Sequence, residues 1–122
     1  MLFRSLLVDD SRTIRALVKP MLTDMGFQVM EAGDGQQALD ACNVQIPDVV
    51  LLDWNMPVMD GLSFLRELKT LPAYKFTPVI MLTTEDDSGR MAQAKAAGAR
   101  AWLLKPFNPP ALLDTVSKVI TA

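Results

Sequence analysis

Phe3 to Val8 is a short, nearly continuous apolar run, as expected of a strand buried on both faces, and the segment after it changes period. Ile14, Leu17, Val18, Met21, Leu22 and Met25 follow the i, i+3, i+4, i+7, i+8, i+11 spacing of one helical face, and Gly26 supplies a C-terminal stop. This predicts a helix of about 14 residues. Pro20 falls inside it and removes one backbone hydrogen bond at a typical cost of about 3 kcal/mol, so a bend without a break is expected.

The same alternation then repeats to the end of the chain. Strands are expected at Phe27 to Ala32, Asp48 to Asp53, Pro78 to Thr83 and Ala99 to Leu104. Helices are expected at Gln36 to about Asn43, Leu62 to Leu71, Ser88 to Ala97 and Ala111 to Ile120, with prolines at 47, 57, 72, 78, 109 and 110 marking boundaries. Five strands alternating with five helices imply right-handed crossovers and a parallel sheet covered on both faces. The fold class expected is α/β: a flavodoxin-like, doubly wound (βα)5 domain with strand order 2-1-3-4-5.

At 122 residues, with no linker, repeat or low-complexity segment, the chain is expected to form one domain over residues 1–122. No apolar run approaches the roughly 20 residues that span a bilayer, and the start lacks a basic region followed by a long apolar core. A soluble, cytoplasmic protein with no membrane insertion is expected. The 12 basic and 14 acidic residues include no basic run, which argues against nucleic acid as a partner. Cys42, the only cysteine, sits among Ala38, Leu39 and Ala41 and is expected to act as a small core hydrophobe. Histidine is absent, which removes Ser/His/Asp and Cys/His triads, His-ligated zinc and a phosphohistidine donor role. A phosphoryl group would have to arrive from another protein.

The polar residues that close the apolar runs carry the chemistry. Asp9 and Asp10 follow the first strand, Asp53 ends the third, Thr83 ends the fourth and Lys105 follows the fifth. In an open parallel sheet, ligands bind beyond the carboxyl ends of the strands, so these residues can converge on one pocket. Each alone has a structural explanation: aspartates after a strand cap helices, threonine is common at strand ends, and lysine before proline is usually a solvated loop residue. Their joint occurrence in the order one pocket requires favours a shared site.

Three carboxylates cannot sit together uncompensated. Two unit charges about 4 Å apart repel by roughly 4 kcal/mol at an effective dielectric near 20, so such a cluster holds a proton or binds a cation. Hard oxygen ligands without His or Cys favour Mg2+. A carboxylate can attack phosphorus to give an aspartyl phosphate, and Asp53 is the best-placed nucleophile because it is central. Lys105, before Pro106, can reach a phosphoryl oxygen, and Thr83 offers a hydroxyl to another.

These residues resemble the receiver domain of two-component response regulators, and most closely its stand-alone, CheY-like chemotaxis type. The resemblance runs from Leu6 to Ile120 and rests on Val8-Asp9-Asp10-Ser11, Asp53-Trp54-Asn55-Met56-Pro57, Met59-Asp60-Gly61, Met81-Leu82-Thr83 and Lys105-Pro106-Phe107. It implies that Asp53 is the phosphoacceptor and that Asp10, Asp53 and the backbone carbonyl of Asn55 bind Mg2+, with Asp9 acting largely through a metal-bound water. Lys105 would pair with the phosphoryl group and Thr83 would move toward it. Trp102 occupies the position of a switch aromatic on the fifth strand, where Tyr or Phe is usual. Trp54 is expected to report on the site, and Glu85 to influence phosphoaspartate lifetime by steering water.

The function expected from the resemblance is acceptance of a phosphoryl group from a histidine kinase or phosphotransfer protein, followed by a change in the surface of helix four, strand five and helix five. An output protein would bind that surface, a phosphatase is a further partner, and turnover of a substrate is not expected. Ala99-Arg100-Ala101, with no later arginine, lacks the acidic and arginine pattern of dimerising transcription factors, so a monomer is expected. The alternatives are a receiver cut from a larger regulator or hybrid kinase, a phosphate sink, and a haloacid dehalogenase-like phosphatase. That last enzyme wants a second carboxylate two residues after its nucleophile, where this chain has Asn55, and a cap that this length cannot hold.

Overall fold

The computed structural model describes residues 3–84 and 88–121 of the chain. Five strands, β1 (Phe3–Val8), β2 (Phe27–Ala32), β3 (Val49–Asp53), β4 (Val79–Thr83) and β5 (Ala101–Leu104), alternate with five helices. The helices are α1 (Arg12–Asp24), α2 (Gly35–Val44), α3 (Gly61–Lys69), α4 (Ser88–Ala97) and α5 (Pro109–Thr121). All strand pairs are parallel, in the order β2-β1-β3-β4-β5. This is the flavodoxin-like doubly wound α/β arrangement expected from the alternation, and none of these helices is long and apolar enough to cross a membrane.

The sheet divides the core into two layers. On one face, Leu6, Val8, Val50, Leu52 and Met81 pack against α2, α3 and α4 through Ala38, Cys42, Phe64, Leu65, Leu68 and Ala94. On the other, Leu7, Leu51, Ile80, Leu82 and Leu103 meet Val18 and Leu22 of α1 and Leu112, Val116 and Val119 of α5. Burying each of the Val, Leu, Ile, Met and Phe side chains among these contributes about 1.5–3 kcal/mol, which explains why apolar runs, and not alternating ones, make the inner strands.

Several boundaries differ from the sequence reading by one or two residues, each with a local cause. The helix α1 runs on through Pro20 to Asp24, with Met25 as its C-cap and Gly26 next at φ +92°. After α3, Leu71 precedes Pro72 and the chain enters a 3₁₀ turn, Pro72–Tyr74, in place of further α-helix. The strand β5 starts at Ala101 because Gly98, at φ +112°, and the Ala99 amide, bonded to the Ala94 carbonyl, still belong to the end of α4. In turn, α5 begins at Pro109 since Asn108 Oδ1 accepts the Ala111 amide and proline suits a first helical position.

One side chain fastens the far end of the sheet. The Lys69 ammonium donates to the carbonyls of Tyr74, Lys75 and Thr77 at 3.0, 3.4 and 2.5 Å, and its stem lies under Gly98. Burial, with the Arg100 charge nearby, lowers its pKa. The Tyr74 hydroxyl in turn donates to the Cys42 carbonyl, and burial pushes the Cys42 thiol up to about 11, which makes it inert.

Candidate functional site

The carboxyl ends of β1 and β3 lie side by side, because Val8 pairs with Leu52 in the register. Asp9 continues β1, its amide donating to the Ala32 carbonyl of β2 at 3.0 Å, and Asp53 closes β3. Both are buried, whereas Asp10 is exposed. One carboxylate oxygen from each of Asp9, Asp10 and Asp53 lies within 4.8 Å of the others. The three aspartates expected to converge therefore do.

Helix capping does not explain them. Ser11 caps α1, its hydroxyl accepting the Ile14 amide at 3.2 Å, and Asp9 Oδ1 accepts the Ser11 amide at 2.9 Å. Ser11 thus leaves the Asp10 side chain unused by the helix, and the Asp9 oxygen not bonded to Ser11 faces the cluster.

Lys105 supplies the positive charge. Its amide donates to the Thr83 carbonyl at 2.7 Å, and its Nζ lies 2.6 Å from Asp9 Oδ2 and 3.0 Å from Asp53 Oδ1. Burial alone would lower the pKa of this ammonium, but hydrogen bonds to Asp9 and Asp53 and the charges of both raise it above the usual lysine range. For Asp53 the balance runs the other way. Burial and the Asp9 charge, with a smaller contribution from Asp10, outweigh Lys105 and push its carboxyl from 3.8 up to about 6. One ammonium is too little charge for three carboxylates.

That deficit, with oxygen-only donors at this spacing, fits a small hard dication. Mg2+ keeps several waters and needs only two or three protein oxygens. Zn2+ and Cu2+ sites call for nitrogen or sulfur ligands, which this cluster lacks.

The β3–α3 loop is pinned beside the cluster. The Gly61 amide donates to the Trp54 carbonyl at 2.9 Å, and a Cβ on Gly61 would sit inside the Asp53 carbonyl oxygen and 3.0 Å from Trp54 Cα. Asp60 caps α3 by accepting the Ser63 amide at 2.8 Å. Within the loop, the Met59 amide bonds the Pro57 carbonyl at 2.7 Å around Val58, which sits at φ +68° and is 84% exposed. This is a γ-turn of the rarer, strained hand, here with a β-branched residue at its centre. Asn55 is exposed at the start of the same loop.

Thr83 ends β4 with its side chain buried, opposite Leu104 in the register. Trp102 lies half-buried on β5, its ring centroid 5.9 Å from that of Trp54 at an interplanar angle of 59°. Glu85 lies outside the described residues. Sequence reasoning missed Arg90 of α4, whose Cζ stands 5.0 Å over the Trp54 ring. Nothing in its spacing marks it, because the contact depends on how α4 packs beside α3, next to the segment that follows β3. The motif also marked Gly61 without its reason, which is the close backbone approach to Asp53.

A family model described as response regulator receiver domain matches residues 6–117. The chain is 36% identical over 115 residues to chemotaxis protein CheY-3 of Vibrio cholerae, covering 93% of this chain and 88% of that one. It is also 36% identical over 115 residues to chemotaxis protein CheY of Pseudomonas aeruginosa, covering 93% of each. Among solved structures, chemotaxis protein CheY4 of Vibrio cholerae superposes with a TM-score of 0.94 at 44% identity, over 98% of this chain and 99% of that one. The receiver domain of a Pseudomonas aeruginosa sensor histidine kinase, with a magnesium ion coordinated in its active site cleft, superposes with a TM-score of 0.92 at 30% identity over the whole of both chains.

Proposed function

The chain belongs to the response regulator receiver domain family and is a two-component response regulator, and from that premise we propose that Asp53 is its phosphoacceptor. The observation that carries this is the Asp53 carboxylate at the end of β3, with Asp9 and Asp10 oxygens within 4.8 Å and the Lys105 ammonium at 3.0 Å. Residues 1–122 act as one receiver domain in this proposal.

A phosphohistidine on a histidine kinase or phosphotransfer protein is the donor. One Asp53 oxygen attacks phosphorus, a P–O bond forms as the donor's P–N bond breaks, and the leaving imidazole takes a proton. The step is mainly positioning and charge neutralisation. Asp10, Asp53 and the Asn55 carbonyl would hold Mg2+, with Asp9 acting through a coordinated water. That ion supplies positive charge to the phosphoryl oxygens when bound. Lys105 exchanges its Asp53 contact for a phosphoryl oxygen, and Thr83 gives its hydroxyl to another.

The protein is a signalling protein and not a classical enzyme, and its self-catalysed phosphorylation and dephosphorylation belong to a switch. The new contacts bias two arrangements of the α4–β5–α5 surface, and an output protein binds one of them. Three of the similar proteins above are named chemotaxis proteins, which supports a chemotaxis-type role.

The test is intact mass after incubation with Mg2+ and acetyl phosphate. The parent should gain one phosphoryl group and Asp53→Asn none. A gain that persists in Asp53→Asn overturns the assignment.

A further inference from the structure

We propose that Phe76, with Lys75 and Arg100 beside it, anchors a protein-docking surface at the amino ends of β4 and β5. Its occupant is an acidic segment of another protein that carries an aliphatic or aromatic side chain.

The connection between α3 and β4 is apolar where water reaches it. Leu71, Pro72 and Ala73 are exposed, and Phe76 is 76% exposed, more than any other aromatic side chain among the described residues. This ring does not ride on a loose loop. Besides the carbonyls of Tyr74, Lys75 and Thr77 that Lys69 holds, the carbonyl of Phe76 itself accepts a hydrogen bond from Arg100 Nη2 at 3.3 Å. Four consecutive carbonyls are thus tied to two cations. Arg100 is fixed in turn, its Nη1 donating to the Val119 carbonyl at 3.2 Å and its amide to the Val79 carbonyl at 2.9 Å. An aromatic side chain on a pinned backbone has little freedom left to lose on binding, which is how a preorganised anchor gains affinity.

The surrounding charge selects the partner. The Lys75 ammonium lies 5.6 Å from the centroid of the Phe76 ring, and Lys69 and Arg100 stand behind the loop. Among the described residues, none of these three cations is paired with a carboxylate. Burial and the Arg100 charge both lower the Lys69 pKa, as expected of cations with no anion between them. In a chain of net charge -2 this is a local positive patch around an exposed ring. Its complement is a set of carboxylates around an apolar side chain. A lipid surface fits less well, because recognition of anionic lipid by charge takes clusters of roughly four to eight Lys or Arg, and Lys69 is already committed to its own carbonyls.

The five residues of β4, Val79–Thr83, separate this loop from the acidic pocket by roughly 16 Å along the strand. Both ends can therefore be occupied together. A partner at Phe76 holds the protein in place without closing the pocket.

The experiment selects a random peptide library displayed on phage against the full chain in EDTA, and measures the Kd of each selected peptide by fluorescence anisotropy. Peptides that combine Asp or Glu with an aliphatic or aromatic residue should emerge, and their Kd should rise about tenfold or more in Phe76→Ser and about threefold or more in Lys75→Glu. Both side chains are exposed, so neither replacement opens the core. The proposal is overturned if no selected peptide loses affinity in Phe76→Ser, or if the peptides that do so lack acidic residues. Sedimentation of the parent, but not of Phe76→Ser, with phosphatidylglycerol vesicles also overturns it, since the ring would then anchor lipid.

Discussion

The Lys105 ammonium stands 3.0 Å from Asp53 Oδ1 while also bonding Asp9 Oδ2 at 2.6 Å, so one cation bridges the ends of β1 and β3 from the end of β5. It holds the pocket together and at the same time occupies oxygens that a dication or a phosphoryl group needs.

Replacing Lys105 separates these two effects. Lys105→Met should lower the unfolding free energy of the metal-free protein by about 2–3 kcal/mol, because two charge-assisted hydrogen bonds are lost and two buried carboxylates remain. It should also tighten Mg2+ binding by about threefold or more, because a competing charge has gone. Urea titrations with EDTA, and Mg2+ titrations followed by tryptophan fluorescence, measure the two. Weaker Mg2+ binding would show that the ammonium orders the carboxylates more than it competes for them.

The raised pKa of Asp53 fixes the sign of a pH effect. Folding moves this carboxyl from 3.8 to about 6, so the folded state binds more protons in that interval. Stability contributed by Asp53 is therefore present near pH 4 and is lost as pH rises through 6, by about 3 kcal/mol in the metal-free protein. Asp53→Asn should match the parent near pH 4 and exceed it by about that amount at pH 7.5 in urea denaturation. For the same reason Mg2+ binding by the parent should weaken as pH falls below 6, since the ion must displace a proton.

Gly61 and Gly26 should respond differently to one methyl group. Gly61→Ala drives a Cβ into the Asp53 carbonyl and should destabilise by about 3 kcal/mol or more, with loss of Mg2+ binding as the loop is displaced. Gly26→Ala meets nothing within 4 Å and should cost only about 1 kcal/mol, from its φ of +92°. Urea midpoints of the two variants, measured side by side, check the difference.

Val58→Asn should stabilise the protein by about 1 kcal/mol. Asparagine tolerates positive φ better than a β-branched residue, and the exposed valine loses no packing. A lower urea midpoint for this variant would mean that the Val58 side chain contributes something its exposure does not reveal.

Much of this was legible in the sequence, because the strongest signals are local. The apolar runs that become β1, β3 and β4 and the six-residue stripe of α1 follow from burial alone, and the polar residues closing the runs then share a pocket by topology. The chain ends of elements were less legible. Nothing in Ala99 or Arg100 says that Gly98 still belongs to the turn after α4, and Pro109 reads as a breaker until Asn108 is seen to cap α5. Contacts between distant elements were not legible at all. Arg90 meets Trp54 only because α4 packs at a particular height beside the sheet. Lys69 is a local case: the segment after α3 folds back so that carbonyls five, six and eight residues on reach its ammonium, which residue type alone does not mark.

The triple grip of Lys69 bears on how this protein resists digestion. Phe76 is 76% exposed and flanked by Lys75, an inviting sequence for chymotrypsin or trypsin at the end of the molecule away from the acidic pocket. A protease must draw several residues into extended form to cut, and here the carbonyls of Tyr74, Lys75 and Thr77 are tied inward to one ammonium. The exposed aromatic can be touched, but the peptide bonds around it stay out of reach until α3 itself loosens.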